Sequence, residues 1–400
     1  LKKSEIQKRQ TWVNEVRQIA KPIEHYHKWI DDYVANKKIV LLGENSHFIG
    51  DYYKKKIELI KYLHIHHGFS TVVFESGLLE ASMSSIINDD VPIKKRIKHD
   101  FLGIYHNEEM LSLFTDPSLA SLTITGMDVQ PADSIASQKL VTWVGNHLGS
   151  EWKTKLEQIE TLFFEFDRQI QNQFKISKKI RGNLKDVIEK YNSVILDLHS
   201  TLQKETDTQL RKKLEILLRG MKNRQQWFTL NIKGRIASSR LRDEWMFENL
   251  EWIFQQEKDQ KIIVWSHNFH IRKRKSLLLK IIGMETLGHL LTKHYPNDTY
   301  TIGLYARSGS CYNAYKEQYE LSTSNPRYLE SLIAEATDEE VFLPLTLQTK
   351  KQQSWMKQHW WLLESKFPGM GPHPMKPQRF YDGLLVFGEV QPPTYYQVHE

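Results

Sequence analysis

Ile39-Val40-Leu41-Leu42-Gly43-Glu44-Asn45-Ser46-His47 and, one helical span later, Thr71-Val72-Val73-Phe74-Glu75 are the stretches whose reading decides the fold. Each is a short apolar run that stops at a carboxylate, the pattern of a strand buried on both faces. Between them Tyr53, Ile57, Ile60 and Leu63 recur at helical spacing, and Gly68 stands where a helix ends. Strand, helix and strand in this order predict a parallel crossover, with the two strands adjacent and Glu44 beside Glu75.

Working outward, four more runs of this kind occur: Leu122 to Asp128, Lys261 to His267, Tyr300 to Tyr305 and Leu384 to Gly388. They predict an α/β fold with a mostly parallel central sheet flanked by helices. From Asp133 to Trp252 no comparable run appears. Leu156, Ile159, Phe163, Phe166 and Ile170, then Leu210, Leu214, Leu217 and Met221, keep helical spacing there. The expected organisation is an α/β catalytic core of residues 1–132 and 253–400, with an inserted all-helical subdomain, 133–252, forming part of the cleft or a lid. Beyond Pro344, the aromatic segment Trp355 to Trp361 is expected to be helical. Pro368-Gly369-Met370-Gly371-Pro372-His373-Pro374 is expected to be a loop over the cleft.

The 400 residues carry a net charge of +7, with the densest basic patch at Lys178, Lys179, Arg181 and Lys185. Asp186 and Glu189 interrupt it, which fits a solvated helix face, so no nucleic-acid partner is expected. No apolar run approaches the ~20 residues that cross a bilayer. A soluble protein with no membrane partner is therefore expected, and a monomer is favoured. The chain begins at Leu1 rather than Met and shows no signal-peptide pattern, so cytoplasm is taken as the default expectation. Cys311, the single cysteine, excludes an internal disulfide and any multi-cysteine metal site.

In open α/β sheets, ligands bind outside the carboxyl ends of the strands. Glu44, Glu75, Asp128 and His267 arrive at that edge. The turn Gly43 to His47 puts a carboxylate and an imidazole together. An imidazole, with an unperturbed pKa of ~6.5, can accept and return a proton near neutrality, while a carboxylate orients the ring. Ser46 lacks the Gly-x-Ser-x-Gly elbow of a serine nucleophile, so attack by an activated water is the simpler chemistry. Trp265-Ser266-His267-Asn268-Phe269-His270 offers two histidines, but no His-Glu-x-x-His pattern accompanies them. Neither a metal nor another cofactor is expected. His64, His66 and His67 fall at a helix end and read as surface residues.

Taken in order, Gly43-Glu44-Asn45-Ser46-His47, Phe74-Glu75-Ser76, Gly126-Met127-Asp128-Val129-Gln130, Arg242-Asp243 with Met246 and Asn249, and Val264-Trp265-Ser266-His267-Asn268 resemble the successive motifs of the erythromycin esterase family. The resemblance runs from about residue 38 to the end of the chain. It implies metal-independent hydrolysis, in which a histidine-activated water opens the lactone of a 14-membered macrolide such as erythromycin and so confers resistance. By the same resemblance His47 is the base, Glu44 and Glu75 are its carboxylate partners, and His267 is a second histidine facing the substrate. Lys56 stands where the family commonly has arginine. A macrolide is a large apolar ring and needs broad apolar contact. Phe48, next to the base, is the first candidate to supply it; Asn268, His270, Asp128 and Trp360, with Trp355 and Trp361, are the other candidate substrate contacts. A related hydrolase acting on another ester or amide, linked in some relatives with cell-surface polysaccharide, would carry the same residues. A binding protein that has lost catalysis is disfavoured, because Glu44, His47, Glu75 and His267 are all present.

Overall fold

The computed structural model describes residues 3–87, 91–171, 177–256, 259–275, 277–346, 354–366 and 369–396. The strands are β1 (Lys21–Pro22), β2 (Ile39–Leu42), β3 (Thr71–Gly77), β4 (Thr123–Asp128), β5 (Ile262–Trp265), β6 (Thr299–Tyr312), β7 (Gln318–Ser322), β8 (Val341–Pro344), β9 (Trp360–Ser365), β10 (Met370–Met375) and β11 (Gly383–Val390). The main sheet runs β1-β8-β11-β6-β2-β5-β3-β4, with β7 paired to residues 308–312 of β6. The six strands from β11 to β4 are parallel and correspond to the six apolar runs of the sequence, while β8 and β1 join antiparallel at one edge.

The crossover from β2 to β3 is not between adjacent strands. β5 lies between them, with Trp265 in register with Leu42 on one side and Phe74 on the other. Every residue of β5 is fully buried, and so apolar a strand is stable only with a partner along both edges. The intervening helix, Gly50–His67, ends on Gly68 at φ +69°, the left-handed conformation that a Cβ would disfavour. Alternation along β2 then divides two apolar layers. Val40 and Leu42 pack with Tyr53, Ile57 and Ile60, while Ile39 and Leu41 share a cluster with Met246, Leu250 and Leu332.

Residues 134–254 form the helices Ser134–Leu148, Ser150–Gln171, Lys178–Lys204, Thr208–Ile232 and Arg235–Phe254. Leu156, Ile159, Phe163, Ile170, Leu214, Leu217 and Met221 close one apolar cluster, with Phe166 and Leu210 against its margin. The helix Arg235–Phe254 instead turns Met246, Phe247, Leu250 and Ile253 onto the sheet. A buried ionic group joins the helices to the end of β3. Arg224 pairs with Glu80 at 2.6 Å and Glu160 at 3.2 Å, and Tyr191 donates to Glu160 at 2.9 Å.

The aromatic and Gly/Pro-rich segment corrects the sequence reading twice. Residues 354–357 make a single 3-10 turn, but Trp360 opens β9, and the stretch expected as a loop contains β10, paired antiparallel to β9. Pro372 and Pro374 are two residues apart, so their missing N–H groups fall on the same, unpaired edge, where a ladder tolerates them. Pro368 and the side chains of Lys178 and Lys179 lie outside the described residues. Among the described residues, no helix is long and apolar enough to cross a membrane.

Gly43 is where chain approach is tightest beside the proposed site. A Cβ there would lie 2.0 Å from Asn268 Oδ1 and 2.6 Å from Ile271 Cδ1. Gly43→Ala is expected to cost about 2–3 kcal/mol, in the upper range for overpacking a rigid site, and to displace the turn carrying His267. Urea denaturation should show a lowered midpoint, and an unchanged midpoint would refute this packing.

Candidate active site

The Glu44 side chain is wholly buried just past β2 and receives three donors. Lys56 Nζ, from the helix Gly50–His67, lies 2.6 Å from Oε2, and Trp265 Nε1, at the end of β5, donates to the same oxygen at 3.1 Å. His47 Nδ1 lies 2.6 Å from Oε1. Burial alone would raise the Glu44 carboxyl, but the Lys56 ammonium and His47 more than offset it and hold the group below the usual carboxylate range. Glu44 is therefore an acceptor, which assigns the proton to His47 Nδ1 and leaves Nε2 with its lone pair. Nε2 has no partner among the described residues, and the His47 side chain keeps 22% of its surface accessible. This is the arrangement of a general base.

Glu75 organises the neighbouring strand ends. Its Oε2 accepts from Ser266 Oγ at 2.7 Å and from the His267 amide at 2.9 Å; its Oε1 lies 3.1 Å from Arg242 Nη2 and 3.3 Å from His270 Nε2. Burial would raise Glu75, yet His270 and Arg242 hold it well below the usual range. His270 Nδ1 lies 2.9 Å from buried Asp243. Burial opposes its charge, but Asp243 and Glu75 outweigh it and raise the imidazole to about 10, so His270 is an imidazolium at neutral pH. His267 is held in the opposite state. Its Nε2 donates to the Asn45 carbonyl at 3.1 Å, and its Nδ1 accepts from the Phe269 amide at 3.1 Å. Burial, together with nearby His47, pushes its pKa down and keeps it neutral. The rings of His47 and His267 lie 5.2 Å apart.

Of the residues singled out in the sequence, Glu44, His47, Lys56, Glu75, Asp128, His267, Asn268 and His270 belong to this one connected cluster. Their positions differ from the expected roles in several respects. Asp128 is fully buried, with its carboxylate taken by Arg242 and by the amides of Val129 and Gln130. Asn268 is also fully buried and donates to the Leu304 carbonyl at 3.1 Å. With His270 they form the floor beneath the site and are not exposed for substrate contact. Lys56 acts through Glu44 and is equally enclosed. Trp360 packs edge-on against Trp12 at the opposite end of β9 from Ser365, which touches Asn45. Five residues at ~3.3 Å each put it roughly 16 Å from that contact. Phe48, the first candidate for apolar substrate contact, is half-buried beside His47. Ser46 accepts the Phe48 amide through Oγ and is buried. His64 and His67 bond to Phe69, Ser121 and Asp31 at the far end of their helix.

Arg242 and Asp243 are the members of the cluster that strand-end reasoning missed. Adjacent on the helix Arg235–Phe254, they serve Asp128 with Glu75 and His270 respectively. The motif Arg242-Asp243 with Met246 and Asn249 was the available signal. Among the described residues, no group of three or more His, Cys, Asp or Glu could hold a metal ion.

Comparison with known proteins defines the class as hydrolase. The chain belongs to the erythromycin esterase family, whose model matches residues 64–390. It is 26% identical to "Putative hydrolase YbfO" of Bacillus subtilis (strain 168), across 91% of this chain and 86% of that one. It is 23% identical to "Erythromycin esterase type II" of Escherichia coli, across 71% of this chain and 72% of that one. Among solved structures, a succinoglycan biosynthesis protein superposes with a TM-score of 0.75 at 16% identity, covering 97% of this chain and 99% of that one. A mutant of the erythromycin esterase EreC in its open conformation gives 0.64 at 14% identity, covering 93% and 95%.

Lys56 makes the site sensitive to alkali. Burial pushes its pKa down to about 8 against the raising pull of Glu44. The ion pair is thus present below that value and lost as pH rises through it, because the ammonium gives up its proton. An arginine stays charged throughout. Activity on an ester substrate is expected to fall above pH of about 8, and Lys56→Arg should move that fall upward by at least about one pH unit. Overlapping pH–rate profiles for the two proteins would contradict this assignment.

Proposed function

We propose that the protein hydrolyses the lactone ester of 14-membered macrolide antibiotics such as erythromycin, so conferring resistance, by means of a water activated by His47. The observation that carries the chemistry is the Glu44–His47 pair, which engages Nδ1 and leaves Nε2 without a partner among the described residues, on a side chain that is 22% exposed. Water loses a proton to Nε2 as its oxygen bonds to the ester carbonyl. Glu44 stabilises the imidazolium so formed. The tetrahedral intermediate collapses, the C–O ester bond breaks, and the imidazolium returns the proton to the departing alkoxide. A carboxylic acid, which ionises by releasing its proton to solvent, and a free hydroxyl result, and the chain supplies this proton traffic without a cofactor.

The substrate class is supported by family membership and by the similarity to "Erythromycin esterase type II". Half-buried Phe48 and Phe269, flanking the two histidines in sequence, offer apolar contact to a macrocycle. In this reading, the helices of residues 133–252 contribute to the cleft, and the enzyme works as a cytoplasmic monomer on a small molecule. A second reading, hydrolysis of another ester or amide, draws on the relative known only as a hydrolase, which matches more of the chain than the erythromycin esterase does.

Mass spectrometry of erythromycin incubated with purified, chelator-treated protein separates the two. Under the first reading a product heavier by one water accumulates, chelation leaves the rate unchanged, and His47→Ala lowers it by at least about 10²-fold, the lower range for loss of a general base. Unchanged erythromycin alongside turnover of simple esters selects the second reading. Full activity in His47→Ala would refute the mechanism under either.

A further inference from the structure

Water addition places a negative charge on the carbonyl oxygen, and a hydrolase needs a donor aimed at that atom. The donors that follow β5 are occupied. The amides of Ser266, His267, Asn268, Phe269 and His270 already have acceptors in Leu42, Glu75, Glu44 and, for the last two, His267. Both nitrogens of His267 and both of His270 are engaged, and Lys56 is enclosed against Glu44.

Arg242 differs. Nε and Nη2 are held by Asp128, and Nη2 also by Glu75, which fixes the plane of the guanidinium. Nη1 has no acceptor among the described residues, and the side chain is 25% exposed, much as His47 is. The two open groups are linked through few contacts. Arg242 touches Glu75, Glu75 accepts the His267 amide, and the His267 ring faces that of His47 at 5.2 Å. We infer that Arg242 is a catalytic residue, donating from Nη1 to the oxyanion that forms when the His47-activated water adds to the ester carbonyl. The electron pair displaced from the C=O bond comes to rest on the oxygen facing Nη1, and returns to re-form the carbonyl as the C–O ester bond breaks. Asp128 pre-orients the group, so no reorganisation accompanies the reaction.

The inference rests on the hydrolase reading above, and its test distinguishes the two. Kinetics of wild type, Arg242→Lys and Arg242→Ala are measured on erythromycin and on an activated aryl ester, and binding of an aryl methylphosphonate, an anionic mimic of the tetrahedral state, is measured by calorimetry. Arg242→Lys keeps a charge beside buried Asp128 and Glu75, so it guards against misfolding in the alanine variant. We expect Arg242→Lys to lower kcat by about 10²–10³-fold with KM within about threefold, the pattern of a donor acting only in the transition state. Added guanidinium should restore at least about tenfold to Arg242→Ala and nothing to His47→Ala, and the phosphonate should bind wild type preferentially. Variants that fold and keep kcat within about threefold, or a loss that guanidinium fails to rescue while phosphonate binding stays at the wild-type level, would overturn the assignment. Wild type that turns over no ester but binds the phosphonate through Arg242 would reject the hydrolase reading while retaining the anion donor. Equal binding by wild type and variants, together with no ester turnover by wild type, would reject both.

Discussion

Burying the Glu44 carboxylate with no accessible surface is the constraint around which this sheet edge is built. An ionised carboxylate stripped of water is costly unless every lone pair meets a donor, and removing one partner from such a pair costs roughly 3–5 kcal/mol. The donors come from separate elements: Lys56 from the crossover helix, Trp265 from the end of β5, and His47 from the turn itself. The indole also explains why β5 must lie against β2. Sheet order and site chemistry are one requirement, since a β3 seated next to β2 would leave Glu44 without the Trp265 donor.

The two strand-end carboxylates sort three histidines into three states. Glu44 takes the Nδ1 proton of His47 and leaves the other nitrogen open. Glu75 and Asp243 together make an imidazolium of His270. His267, bound through the Asn45 carbonyl and the Phe269 amide, stays neutral with no nitrogen to spare. Only one of the three can exchange a proton with a bound molecule. The others set the field around it, and a neutral His267 avoids placing a second positive charge beside the imidazolium that the proposed proton transfer creates at His47.

Much of this arrangement was legible in the sequence because it follows from local pattern. Six apolar runs gave the parallel strands, and the segment from Gly43 to His47 gave the paired imidazole and carboxylate. What could not be read was whatever depends on distant pairing. The place of β5 between β2 and β3 is a choice among edges that no single run encodes. β10 hides in a Gly/Pro-rich stretch because prolines normally signal loops, and only pairing with β9 shows that their bare edge faces outward. Asp128 and Asn268 were found at the right edge, but exposure is a property of packing, and the same strand-end position serves a floor residue as readily as a contact. Arg242 was legible as part of a motif, but not as the partner of Asp128 and Glu75, because it approaches from a helix more than a hundred residues beyond Asp128 in the chain.

The lysine at position 56 has a geometric consequence of its own. A compact ammonium satisfies one oxygen of Glu44, while stacking its charge 4.5 Å over the Trp265 ring. A guanidinium presents a planar fork suited to both oxygens of a carboxylate at once. In this chain Oε2 is shared by Lys56 and Trp265, and Oε1 is kept for His47. That division lets a single buried carboxylate be neutralised from behind while remaining a full-strength acceptor for the imidazole in front. The His47 ring is oriented by an oxygen that no cation shares, and the cation that makes the burial tolerable loses its charge as pH rises through about 8, before His270 does at about 10.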